Sequence, residues 1–363
     1  MLQCGIVGLP NVGKSTFFNA LTLSKNADAA NYPFCTIEPN VGKVIVPDSR
    51  LHRLAEVVRS ASVIPTQIEF VDIAGLVKGA SKGEGLGHQF LSHIREVDAI
   101  VQVVRCFEDD NIVHVEGGVD PIRDIEIIEI ELIQADYESL SKRIPVLEKK
   151  AKNNKELEKE LQLVHQALSL LLECKPVRHM VNKENEKLIR NLQLLTSKPV
   201  MYVCNVGEND AVSGNSYSNS VIQRARSENL QCVTISVQIE SDIANLETEL
   251  ERQAFLNALN ISEDGLSKVI RSAYDVLNLI TFFTVGPKET RAWTITKGTF
   301  APQAAGAIHS DFERGFIRAE TISYSDYIDC NGEVGARAAG KLRPEGKEYV
   351  VNDGDVITFR FNC

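Results

Sequence analysis

Gly8-Leu9-Pro10-Asn11-Val12-Gly13-Lys14-Ser15 spells Gly-x-x-x-x-Gly-Lys-Ser, the pattern in which a glycine-rich turn presents successive backbone N–H groups to the phosphates of a nucleoside triphosphate. Its flanks fit that reading. Residues 2 to 7 form an apolar run that reads as a buried strand, and Ser15 to Leu23 has helical spacing, so the order is strand, loop, helix. The backbone from Gly8 to Thr16 is expected to wrap the α- and β-phosphates, which makes Asn11, Val12, Gly13, Lys14, Ser15 and Thr16 nucleotide contacts. Lys14 reaches the β- and γ-oxygens as a catalytic cation, and the Ser15 hydroxyl is a ligand for Mg2+.

Further apolar runs at Gln67–Asp72, Ala99–Val104, Pro199–Cys204 and Cys232–Ile235 read as buried strands of a parallel sheet. With helical stretches between them, the fold class is α/β, a doubly wound P-loop NTPase sheet. Between about 125 and 195 the sequence becomes charged and leucine-spaced. Leu157, Leu161, Val164, Leu168 and Leu171 recur at intervals of 4, 3, 4 and 3, a heptad seam. Glu148 to Lys155 supplies a polar turn, so a helical hairpin is expected as an insertion, with Pro145 kinking or interrupting its first arm. The charge run reads as a solvated helix face or as a binding patch. After about 277, short β-like pieces such as Arg291–Ile295 and Val356–Phe361 alternate with Gly and Asp turns. The expected domains are 1–277, interrupted by the hairpin, and a small α+β domain at 278–363.

Two downstream segments carry more of the site. Val71-Asp72-Ile73-Ala74-Gly75 ends a buried strand with an aspartate that can hold a Mg2+-bound water, and the Gly75 N–H can sense the γ-phosphate. Thr36, in Pro33-Phe34-Cys35-Thr36-Ile37-Glu38, occupies the place of a switch threonine that completes the magnesium shell. Ordinary GTPases read guanine with Asn-Lys-x-Asp after a buried strand, whereas this chain has Asn205-Val206-Gly207-Glu208. The longer acid and the lost lysine stem weaken guanine selection. A pocket lined by the Val206 backbone and the Asn205 amide, near Glu208, suits adenine. Ser236-Val237-Gln238 would form the loop on the other side of the base.

Composition narrows the class. The chain has 363 residues, 44% of them hydrophobic and 24% charged, which fits a multidomain globular protein. No run of about 18 apolar residues is present to cross a bilayer, and no export signal is visible at the start. Eight cysteines lie scattered without metal-ligand spacing, the pattern of reduced thiols in a cytoplasmic protein. Cys4, Cys204 and Cys232 are expected in the core. Cys35 sits in a polar loop and reads as a redox-sensitive thiol or as a small loop residue. A formal net charge of -10 argues against broad charge-driven nucleic-acid binding.

The segments Asn31 to Asn40, Asp72 to Gly87 and Asn205 to Glu208, with Ala301 to Gly306 and Asn352-Asp353-Gly354-Asp355 near the end, closely resemble the YchF or Obg-like ATPases over essentially the whole chain. The resemblance implies an OBG-type G domain that uses ATP, a C-terminal β-grasp module of the TGS type, and a cytoplasmic monomer. It also implies contact with the large ribosomal subunit and with RNA through the TGS domain and the hairpin. Leu76 occupies the position where many regulatory GTPases place a water-orienting glutamine, so hydrolysis should be slow without help. The resemblance points to His114, in Asp110-Asn111-Ile112-Val113-His114-Val115, as a catalytic or a structural histidine. Asn11 is a candidate ligand for K+ beside the phosphates. Two alternatives stay open: a regulatory binding module in which ATP is a structural ligand, and a true GTPase.

Overall fold

The computed structural model describes residues 2–29, 41–73, 86–152 and 154–362. Cys35, Thr36, Gly75 and Leu76 lie outside them. The chain divides into two compact units, Met1–Val44 with Glu69–Ala273, and Ile45–Ile68 with Tyr274–Cys363. Twelve strands are described: β1 Gln3–Val7, β2 Val41–Ile45, β3 Ser62–Ile64, β4 Gln67–Asp72, β5 Ala99–Arg105, β6 Val200–Asn205, β7 Gln231–Ile235, β8 Leu279–Val285, β9 Glu289–Thr296, β10 Phe316–Ser323, β11 Arg343–Glu345 and β12 Asp355–Phe361.

The sheet of the first unit runs β2-β4-β1-β5-β6-β7, and every pair from β4 to β7 is parallel. All residues of β5 and β6 are buried, which is why these strands read as continuous apolar runs rather than alternations. Their register decides the site. Ile6 lies beside Asp72, Arg105 beside Asn205, and Asn205 beside Ile235. The carboxyl ends of neighbouring strands therefore bring Asp72, the glycine loop, Arg105, Asn205 and Ser236 to one edge, where open α/β sheets bind ligands. Helix α1, Lys14–Ala29, buries Phe17, Ala20 and Leu21, spaced i, i+3, i+4.

The next helices along the chain are α2 Ser49–Val58, α3 Leu86–Glu96 and α4 Pro121–Ala151. The start of α4 is set by Asp120, whose side chain accepts from the Arg123 N–H, and by Pro121 in the first turn. α4 pairs with α5, Lys155–Leu172, which Asn154 caps by accepting from the Glu156 and Leu157 N–H groups. Pro145 does not interrupt the first arm: α4 continues through it for 31 residues. Both Pro145 and Ser141, the residue whose carbonyl loses its helical partner, are exposed, so water can replace the missing bond. The heptad seam closes as expected, with Val164 and Leu171 buried beside Leu140 and Leu147, and Leu157, Leu161 and Leu168 packed at its margin.

The second unit is a mixed sheet ordered β11-β10-β12-β8-β9-β3. β8 pairs antiparallel with β9, β10 antiparallel with β12, and β12 parallel with β8. One core gathers Phe282, Phe316, Ile357 and Phe359 against the helix Ala301–Ile308, whose Ala301, Ala304 and Ala305 let the backbone approach closely. Residues 45–68, expected in the first domain, build part of this unit instead. β3 pairs with β9, and α2 buries Leu51 and Leu54 against Phe283, Ala292 and Ile322. Arg50 donates from Nη1 to Asp353 at 2.6 Å, while Asp353 also accepts from the Thr281 N–H at 2.9 Å. A sequence-local reading misses this because the partners are about 230 to 300 residues away, as the Ser62–Glu289 and Arg50–Asp353 pairs show.

Candidate nucleotide-binding site

The loop between β1 and α1 is shaped by contacts that only glycine permits. Gly13 has φ +93, and a Cβ there would lie 2.5 Å from Nδ2 of Asn205, so both conformation and space exclude a side chain. At Gly8 a Cβ would lie 2.8 Å from Val12 and 2.9 Å from the Val103 carbonyl. Leu9 and Val12 are buried and pin the loop, leaving Asn11, Ser15 and Thr16 exposed. Lys14 forms an ion pair with Asp72. That pair places the strand-end carboxylate at the start of α1, beside the residue that precedes Ser15.

A hydroxyl at a helix start and a carboxylate at a strand end are hard oxygen donors of the kind Mg2+ takes, with phosphate oxygens and waters filling the remaining positions. Among the described residues no group of three or more His, Cys, Asp or Glu is placed to hold a metal ion. Asn11, at φ 62, donates from Nδ2 to the Val113 carbonyl at 3.1 Å. That bond uses its nitrogen and leaves its carbonyl oxygen, the atom a monovalent cation would need.

On the other side, Asn205 is 5% exposed and binds at both ends of its amide. Nδ2 donates to the Val12 carbonyl at 2.9 Å, and Oδ1 accepts from the Val237 N–H at 3.1 Å. This amide, expected to line the base pocket, is engaged by the protein at both ends. It tethers the phosphate loop to the segment after β7. Val206 is buried, with its N–H donated to the Ile235 carbonyl at 2.9 Å. Glu208 and Gln238 are exposed, Gln238 donating from Nε2 to Asp242 at 3.1 Å. Val237 opens α8, Val237–Ala244, which packs on α1. Ser236 is buried and its hydroxyl has no hydrogen-bond partner, a polar atom of the sort that a bound ribose or base edge satisfies.

Residues that the sequence reading missed organise the segment after β5. Arg105 is 2% exposed and donates to the carbonyls of Phe107, Asp109 and Ile112 at 3.1, 3.2 and 2.9 Å. A charged residue ending an otherwise uncharged, mostly apolar strand was the available clue. His114 does not point into free space. Its side chain is 5% exposed, with Nε2 bonded to Asp124 Oδ2 at 2.8 Å and Nδ1 accepting from the Glu116 N–H at 3.1 Å.

A phosphate loop, a strand-end aspartate paired with its lysine, and an asparagine-tied loop across a parallel sheet define a P-loop nucleoside triphosphatase with an OBG-type G domain. Comparison with known proteins agrees. A family model described as a 50S ribosome-binding GTPase matches residues 3–149, and a YchF GTPase C-terminal model, described as a protein of unknown function, matches residues 279–362. The chain is 55% identical over 368 residues to the ribosome-binding ATPase YchF of Bacillus subtilis, covering 99% of both. It is 54% identical over 362 residues to the ribosome-binding ATPase YchF of Escherichia coli O157:H7, again covering 99% of both. The solved YchF GTPase of Schizosaccharomyces pombe superposes with a TM-score of 0.89 at 44% identity, over 99% of this chain and 97% of that one. The chain belongs to the YchF family.

Proposed function

We propose that this chain is a ribosome-binding ATPase that takes ATP in preference to GTP, hydrolyses it slowly to ADP and phosphate, and uses its nucleotide state to govern attachment to the large ribosomal subunit. The observation that carries the base preference is Asn205-Val206-Gly207-Glu208 at the end of β6. Lysine is absent from this segment, Asn205 is committed to Val12 and Val237, and the acid that reaches outward is a glutamate. The relatives' names divide on this point, ATPase for the bacterial proteins and GTPase for the fission-yeast structure. The departure from Asn-Lys-x-Asp favours ATP.

In this reading the loop from Gly8 to Thr16 binds the phosphates and Lys14 turns from Asp72 to their oxygens. Glu208, the Val206 backbone and residues 236–238 face the base. Ser15, Thr36, and Asp72 through a water would hold Mg2+, which supplies neutralisation of the charge on the phosphates when bound. His114 handles the attacking water, the Gly75 N–H senses the γ-phosphate, and the Asn11 carbonyl oxygen ligates K+. The hairpin of α4 and α5 and the second unit meet the ribosome and its RNA, and the chain acts as a cytoplasmic monomer.

Side-by-side titration with ATP and GTP tests the base preference: tighter binding of ATP is expected, and equal or tighter binding of GTP rejects it. Multiple-turnover rates with and without 50S subunits test the switch. If the subunits neither bind in a nucleotide-dependent manner nor change the rate, the nucleotide is a structural ligand. Potassium against sodium in the same assay tests the role of Asn11.

A further inference from the structure

His114 is held between two anchors. Upstream, Arg105 gathers the carbonyls up to Ile112, and Asn11 of the phosphate loop takes the next one, that of Val113. Downstream, the anchor is the first turn of α4. Asp124, 3% exposed, gives Oδ2 to His114 Nε2 and receives Arg123 at Oδ1, and Arg123 donates also to the Gly118 carbonyl at 2.6 Å. The residues beside the histidine lack comparable packing. Val113 and Val115 are 75% and 50% exposed, and Gly117 and Gly118 would meet nothing within 4 Å even with a Cβ.

The hydrogen bonds select one tautomer. The Glu116 N–H points at Nδ1, which must therefore offer its lone pair, so Nε2 carries the proton that goes to Asp124. Both ring nitrogens are then occupied. No lone pair is left to accept a proton from water, and no N–H is left to orient one.

We propose that Asp124 is a latch, a positioning residue that holds His114 out of the hydrolytic reaction until the first turn of α4 shifts. This inference rests on the reading of His114 as the group that handles the attacking water. It adds the regulation of that group, because α4 is also the first arm of the helical insert. A partner that displaces the insert along its axis loosens Asp124 and frees the imidazole, while Asn11 keeps the same segment tied to the phosphate loop.

The test is steady-state ATP hydrolysis by Asp124→Asn, His114→Ala and the double variant, in the full-length protein. Asp124→Asn keeps the shape and an acceptor oxygen but removes the charge that grips the Nε2–H. Its kcat should rise about 3- to 10-fold with KM unchanged, and the double variant should fall to the level of His114→Ala. A fall in kcat for Asp124→Asn overturns the latch and makes Asp124 a group that orients the histidine for reaction; an unchanged kcat also overturns it. If the double variant stays as fast as Asp124→Asn, something other than His114 has been released, and the latch fails again. If His114→Ala alone turns over like the wild type, the underlying reading of His114 fails, whatever Asp124 does. Nitrogen NMR of the imidazole in the wild type gives a readout independent of any variant's folding. A pure Nε2–H tautomer is expected, and a mixture of tautomers overturns the latch.

Discussion

The side-chain amide of Asn205 donates to the Val12 carbonyl at 2.9 Å and accepts from the Val237 N–H at 3.1 Å, so one buried group joins the loop after β1 to the start of the helix after β7. Asn205→Ala should strand a buried carbonyl and a buried N–H at a cost on the order of 1–3 kcal/mol. Affinity for ATP and GTP should fall together, by about tenfold or more, in calorimetric titrations. A selective loss of ATP would instead mean that the amide reads the base.

Glu208, exposed beyond the same strand, is the complementary case. Glu208→Asp combined with Val206→Lys restores the Asn-Lys-x-Asp pattern and should move the ATP-to-GTP affinity ratio toward GTP by about tenfold, provided the buried Val206 site accepts the lysine stem. Circular dichroism melting checks that proviso, and an unchanged ratio in a folded variant would remove this segment from base selection.

Gly13→Ala places a methyl 2.5 Å from Asn205 Nδ2 on a backbone at φ +93. Conformational strain and the displaced amide act together, so nucleotide binding should be lost and stability reduced by about 1–3 kcal/mol. Thermal melting with and without ATP reports both effects, and near-normal stabilisation by ATP would contradict the tether.

Glu240, buried in α8, has its carboxyl pushed up to about 7 from an ordinary 4.5 by burial, although it accepts from the Gly265 N–H at 2.8 Å and the Leu266 N–H at 3.3 Å. The folded state therefore binds more protons than the unfolded chain between pH 4.5 and about 7. Stability from this group is greatest below that window and declines as pH rises through it. Glu240→Gln should flatten the decline by on the order of 3 kcal/mol across the window, measured by urea unfolding at several pH values. Identical slopes would show that the carboxyl is not the group responsible.

Pro145 lies inside α4 with an exposed side chain. Pro145→Ala restores a helical N–H and should stabilise the insert by roughly 1–3 kcal/mol. Hydrogen exchange at residues 141–151 should slow accordingly. No change there would mean that the helix has adapted fully to the proline.

Much of the first unit was legible because parallel strands buried on both faces write themselves as apolar runs, and β5 and β6 are such runs. The phosphate loop was legible because Gly13 and Lys14 answer local demands of backbone and charge. Residues 45–68 were not, since nothing near α2 and β3 in sequence reveals that their partners are Phe283, Ala292 and Glu289. Of the two outcomes expected at Pro145, interruption does not occur because α4 continues through it, and the exposure of Ser141 lets water reach the carbonyl that loses its partner.

Alone, the sequence spelled the Gly-x-x-x-x-Gly-Lys-Ser loop from Gly8 to Ser15, ended a later apolar run with Asp72, and replaced the guanine-reading lysine and aspartate. Such features are local: each depends on residues within one turn or one strand. Only the tertiary structure decided what those residues hold in common. Strand register brings Asn205 under Val12, and the entry of α4 sets Asp124 against His114. Hydrogen bonds between distant segments depend on where the backbone carries them, which no spacing within the chain records.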